Sequence, residues 1–111
     1  MIEREAKEQL PYFELDYSKL TDENGMGVIP AVILESSTNR PLMVGFMNKE
    51  AFQKSREIKK AVFWKRTEAR LWTKGETSVN FLEIVNWVTD CDSDTLVVYT
   101  NPAGNTCHKG T

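Results

Sequence analysis

Six short runs of apolar, β-branched or aromatic residues share this chain with a single stretch of helical periodicity, and that ratio limits the folds open to it. The runs are residues 28–34, 42–47, 62–64, 71–72, 81–88 and 96–99. Each is punctuated by polar or glycine-bearing residues of the kind that make turns. Residues 21–27 hold Asp22, Asn24, Gly25 and Gly27, and residues 36–39 read Ser-Ser-Thr-Asn. The first two runs form a hairpin on this reading, with Pro30 giving the first strand an edge position or a bulged start. Asn48 is a good N-cap, and residues 49–60 then place Ala51, Phe52, Ser55 and Ile58 on one helical face. The expected class is α+β, mostly β, with one main helix.

The flanks are less regular. Residues 3–9 are charged and suit a short helix stopped by Pro11. Residues 12–20 mix aromatic and acidic side chains, with Asp16 and Leu20 expected to pack an N-terminal arm on the body. Residues 101–111 contain Pro102, Gly104 and Gly110 and read as a loop. The division that follows is an arm over 1–26 and a folded domain over 27–111.

A chain of 111 residues suits one domain with a modest core. A formal charge of -2 and a pI near 5.4 give no electrostatic basis for nucleic-acid binding. No apolar run approaches the roughly 20 residues that cross a bilayer, and the charged start lacks the apolar segment of a secretory signal. Two cysteines without such a signal point to reduced thiols and a cytoplasmic location.

The chemistry concentrates in Asp90-Cys91-Asp92-Ser93-Asp94 and in Cys107-His108. On an extended strand the three carboxylates would share one face, with Cys91 and Ser93 on the other. Like charges held so close raise one another's pKa unless a cation sits among them. An EF-hand loop is excluded, because its sixth and twelfth positions fall on Thr95 and Asn101 instead of glycine and an acid. That leaves a Mg²⁺ site of carboxylates and waters, or a solvated acidic turn. Cys91 and Cys107 have fifteen residues between them and lie outside any CxxC pair. By themselves they are two small buried hydrophobes or two zinc ligands. His108 is a structural or a catalytic histidine. The stretch Leu71-Trp72-Thr73-Lys74-Gly75-Glu76-Thr77-Ser78, with Arg66 and Arg70 upstream, offers an ammonium, backbone N–H groups and hydroxyls for phosphate. It is not a P-loop, and an ordinary hairpin turn is the other reading.

Taken in order, these segments resemble the phosphoribosyl-AMP cyclohydrolase family. The resemblance runs from Gly27-Val28-Ile29-Pro30-Ala31 through Leu42-Met43, Met47-Asn48-Lys49-Glu50-Ala51, Phe63-Trp64-Lys65-Arg66-Thr67 and the Leu71 to Ser78 stretch. It continues to Asp90-Cys91-Asp92-Ser93-Asp94 and Cys107-His108-Lys109-Gly110. Lys65 and Val79 stand where the family usually has serine and glycine. The resemblance implies a small β pseudo-barrel in an intertwined homodimer that opens the adenine ring of N1-(5′-phosphoribosyl)-AMP by hydrolysis of its N1–C6 bond. It implies one zinc per subunit, shared by Cys91 of one chain and Cys107 of the other, and Mg²⁺ on Asp90, Asp92 and Asp94. His108 matches a proton-transfer position. Arg66, Trp72, Lys74, Glu76, Thr77 and Ser78 form the implied substrate-binding set. A further family cysteine would fall three residues past Thr111. Without it the zinc ligands are Cys91, Cys107 and a substitute such as His108. Two other readings stay open: a non-catalytic nucleotide- or partner-binding member, and another metal-dependent nucleotide hydrolase on the same scaffold.

Overall fold

A computed structural model of the chain describes residues 9–75 and 81–102. Along the chain run β1 (Ile29–Glu35), β2 (Pro41–Met47), α1 (Lys49–Ile58), β3 (Val62–Lys65), β4 (Arg70–Thr73), β5 (Leu82–Thr89) and β6 (Leu96–Pro102). The mostly-β class with one helix is as expected. A four-stranded sheet has the order β2-β1-β6-β5, and β3 and β4 form a separate two-stranded hairpin. Among the described residues these strands do not close into the expected pseudo-barrel, because β2 and β5 are left as the two edges of the larger sheet.

The β1–β2 hairpin forms in antiparallel register from Ile29↔Met47 to Leu34↔Pro41, with an irregularity between Ile33 and Leu34. The expectation that Pro30 marks an edge strand or a bulged start is corrected. β1 is internal and its bulge lies at the far end. Pairing with β6, which is parallel, begins only at Ala31, so the missing N–H of Pro30 interrupts no ladder on that side.

Alternation then selects the core face. Ile29, Ala31 and Ile33 of β1 and Leu96, Val98 and Thr100 of β6 are buried. In β5 a register shift between Ile84 and Asn86 changes the parity. It brings Trp87 to the same interior as Leu82 and Ile84, and its ring stacks on Phe52 of α1 at 4.7 Å between centroids. Helix α1 starts where Asn48 Oδ1 accepts the Ala51 amide at 2.8 Å. It stops at Lys59, which is left-handed (φ 60°) and donates its N–H to the Ser55 carbonyl. Ser55, the one hydroxyl on the apolar face, accepts from Val62 N at 2.9 Å and donates to Val62 O at 3.1 Å. It thereby fixes the start of β3 to the helix.

The N-terminal arm packs on this body, though through other residues than expected. Leu10 and Leu15 are buried, the Trp87 indole donates to Pro11 O at 2.8 Å, and Arg56 Nε donates to Leu10 O at 2.8 Å. Leu20 contributes its carbonyl to Val28 N while its side chain is exposed, and Asp16 attaches through its backbone. The short helix expected over 3–9 lies outside the described residues except for Gln9. No helix among the described residues is long and apolar enough to cross a membrane.

Candidate functional site

β5 and β6 pair up to Thr89↔Leu96, and the six residues between must reverse the chain. They do so as a tight turn. Asp90 O accepts from Ser93 N at 3.1 Å, Asp90 Oδ1 accepts from Asp94 N at 3.1 Å, and Ser93 is left-handed (φ 57°). Thr89 Oγ1 closes the base by donating to Thr95 O at 2.9 Å. The acidic segment is therefore not an extended strand, and alternation is not what gathers its carboxylates. Curling does, and it brings one oxygen of each of Asp90, Asp92 and Asp94 within 4.8 Å of the others. Cys91 is exposed on the same turn, its Sγ 4.0 Å from Asp92 Oδ1. The separation of acids from thiol onto two strand faces is thus replaced by one exposed turn that carries both.

Three carboxylates this close need positive charge. The arm supplies one: Lys19 Nζ lies 3.2 Å from Asp94 Oδ2. Hydrogen bonding with the Asp90 carboxyl and then with Lys19 holds the Asp94 carboxyl below its ordinary value. The same contact with Asp94, with the nearby Asp92 and Asp16 charges adding to it, raises Lys19. Hard oxygen donors converging on one point, open to water, suit Mg²⁺, which takes carboxylates and keeps part of its hydration shell. An exposed thiol beside them suits a softer ion.

Arg66, Trp72 and Lys74 all belong to the β3–β4 hairpin, whose register is Phe63↔Trp72 and Lys65↔Arg70, but they are spread along it, with Arg66 beside the tip and Lys74 at the open end. The Trp72 ring lies 5.8 Å from Phe63, and Lys65 Nζ sits 5.5 Å from the Trp72 ring. Glu68 at the hairpin tip takes Arg70 Nε at 2.7 Å and Lys65 at 3.4 Å, contacts that lower its carboxyl. The Arg66 guanidinium lies over Phe46 at 5.3 Å. Lys74 is positioned through its amide, which donates to Ala61 O at 3.1 Å. Glu76, Thr77, Ser78, Cys107 and His108 lie outside the described residues.

Two contributors were not visible as such in the sequence. Lys19 is one, being 75 positions from its partner. Asp22 is the other. Its carboxylate accepts from Asn24 N at 2.8 Å, Met26 N at 3.0 Å and Trp64 Nε1 at 2.7 Å. Loss of solvent would raise its pKa, but these bonds outweigh that and bring it to about 2. Asn24 Nδ2 in turn donates to Arg66 O at 3.0 Å, so the turn over 21–27 is tied to the hairpin at Trp64 and Arg66. The Asp22, Asn24 and Gly25 composition signalled a turn but not this link. A cavity of about 510 Å³ lined by Gln9, Tyr12, Gln53, Arg56, Glu57 and Lys59 shares no residue with either cluster.

Residues 43–111 match the family model for phosphoribosyl-AMP cyclohydrolase, a stretch that takes in the hairpin, the acidic turn and both cysteines. The chain belongs to the phosphoribosyl-AMP cyclohydrolase family. Among curated proteins, the histidine biosynthesis bifunctional protein HisIE of Bacteroides thetaiotaomicron is 50% identical over 98 residues, 88% of this chain and 46% of that protein. The HisIE of Photobacterium profundum is 55% identical over 85 residues, 77% of this chain and 41% of that protein. That of Escherichia coli K12 is 51% identical over 98 residues, 88% of this chain and 46% of that protein. The chain spans less than half the length of these relatives. Lys19 and Asp22 fall outside the part matched by the cyclohydrolase family model, but within the stretch aligned with the Bacteroides and Escherichia relatives, which at 98 of 111 residues begins no later than residue 14.

Proposed function

We propose that the chain hydrolyses the N1–C6 bond of N1-(5′-phosphoribosyl)-AMP, opening the adenine ring in histidine biosynthesis. The observation that carries this reading is the acidic turn. It lies within the stretch matched to the cyclohydrolase family, and its three carboxylates converge within 4.8 Å beside an exposed cysteine.

The chemistry asks for such a site. Neutral water attacks C6 poorly, although the cationic, N1-substituted ring is more electrophilic there than AMP itself. When bound, zinc would supply hydroxide near neutral pH by lowering the pKa of water to about 7, and Mg²⁺ would neutralise substrate phosphate. Cys91 and Cys107 would hold the zinc, contributed by two chains of a cytoplasmic homodimer, and Asp90, Asp92 and Asp94 would hold Mg²⁺. In that intertwined homodimer the strands left open in one chain would complete the pseudo-barrel. His108 would carry a proton between the attacking water and the departing N1. Arg66, Lys74, Thr77 and Ser78 would orient the phosphates, while Trp72 and Glu76 would complete the substrate pocket.

Incubation of the protein with N1-(5′-phosphoribosyl)-AMP, zinc and Mg²⁺ should give ring-opened product, followed by the change in ultraviolet absorbance as the purine is lost. Nucleotide binding without product would overturn the assignment. Elemental analysis of Cys91→Ser should show lost zinc with an unchanged circular dichroism spectrum, and retained zinc would remove Cys91 from the site.

A further inference from the structure

We propose that Lys19 is a tethered cation that competes with a divalent metal for the acidic turn and so sets the metal concentration at which that turn fills. The inference rests on the Mg²⁺ reading above and adds to it a residue of the N-terminal arm, ahead of the residues 43–111 matched by the family model.

The arm is built to deliver this ammonium. Asp16 N donates to Ser93 O at 2.7 Å, which pins the arm to the acidic turn one residue from Asp94. The Asp16 carboxylate is occupied locally, accepting from Ser18 N at 2.9 Å and Ser18 Oγ at 2.5 Å. That local turn redirects the chain so that Lys19 comes back over Asp94, where Nζ reaches Oδ2 at 3.2 Å. Around Lys19 stand the carboxylates of Asp94, Asp92 and Asp16. An oxygen of Asp94 that accepts the ammonium has one lone pair and part of its charge engaged, and is a poorer metal ligand for it. A unit positive charge about 5 Å from a divalent ion also repels it appreciably, even at the dielectric constant of water. Lys19 is half-exposed, so it can swing into solvent when a metal arrives, and the backbone anchor at Asp16 keeps it within reach when the metal leaves.

The test is Mn²⁺ binding to the full chain at low ionic strength, read from the electron paramagnetic resonance signal of free Mn²⁺. It compares wild type with Lys19→Met, Lys19→Gln and Lys19→Arg. Removing the charge should tighten Mn²⁺ binding roughly three- to tenfold in the Met and Gln variants, while Arg stays near wild type. Asp92→Asn should weaken binding in every background. Mn²⁺ affinity in Lys19→Met and Lys19→Gln equal to or weaker than wild type would overturn the role of Lys19 and leave the metal site standing. No Mn²⁺ uptake by wild type or either neutral variant would overturn both.

Discussion

Gly45→Ala tests how the hairpin that carries Arg66, Trp72 and Lys74 is seated on the main sheet. Gly45 lies in β2 opposite Ala31, facing the core. A Cβ at this position would fall 2.5 Å from Phe63 Cδ1 and 2.7 Å from Phe63 Cε1, against an ordinary carbon–carbon contact of about 3.5–4.0 Å. The ring has little room to retreat, since Phe63 is 2% exposed and Trp72 packs on it at 5.8 Å. Overpacking of this kind costs about 1–3 kcal/mol. The lost strand-interior glycine returns about 0.5–1 kcal/mol. The net destabilisation should be about 1–2 kcal/mol, or a fall in Tm of roughly 4–8 °C for a domain this size. Urea unfolding at fixed protein concentration measures it directly. The decisive version is a double-mutant cycle with Phe63→Leu, whose shorter and rotatable side chain can move aside. In that background Gly45→Ala should be nearly neutral, giving a coupling of about 1–2 kcal/mol. Additivity within about 0.5 kcal/mol would refute the steric reasoning, because the two residues would then not share the space.

Asp22→Asn should lower stability at neutral pH, with a red shift of Trp64 fluorescence as the indole loses its carboxylate acceptor. The Asp22 pKa is depressed from its ordinary 3.8 to about 2, so its contribution is present above about pH 4 and is lost as pH falls towards 2. The stability gap between wild type and variant should therefore narrow across that window; a gap constant from pH 5 to 2 would contradict the assignment. Trp87→Phe keeps a ring against Phe52 but leaves Pro11 O without its 2.8 Å donor. It should cost at least about 1–2 kcal/mol in urea unfolding, with faster amide exchange at the arm residues Leu10 and Leu15.

Much of the fold is local and could be read from residue order. The β1–β2 hairpin, the helix opened by Asn48 and the strand identity of the remaining runs follow from turn composition and side-chain periodicity, which act over a few residues. The position of β1 beside β6 does not, since it joins segments more than sixty residues apart through a parallel ladder. Nor does the inward turn of Trp87, which depends on a bulge that sequence alternation does not reveal. The pseudo-barrel, taken from family resemblance, asks more closure than the described residues of one chain contain.

The site divides in the same way. Residue identity alone says which groups are present: three carboxylates interleaved with a cysteine, a basic and hydroxyl-rich segment, and a cysteine–histidine pair. Their chemistry belongs to the side chains and survives any fold. Tertiary structure decided how the carboxylates meet, replacing strand alternation with a turn held by Asp90 and a left-handed Ser93. It also decided what balances them. Charge attraction depends on distance in space, and only folding brings Lys19 within 3.2 Å of Asp94.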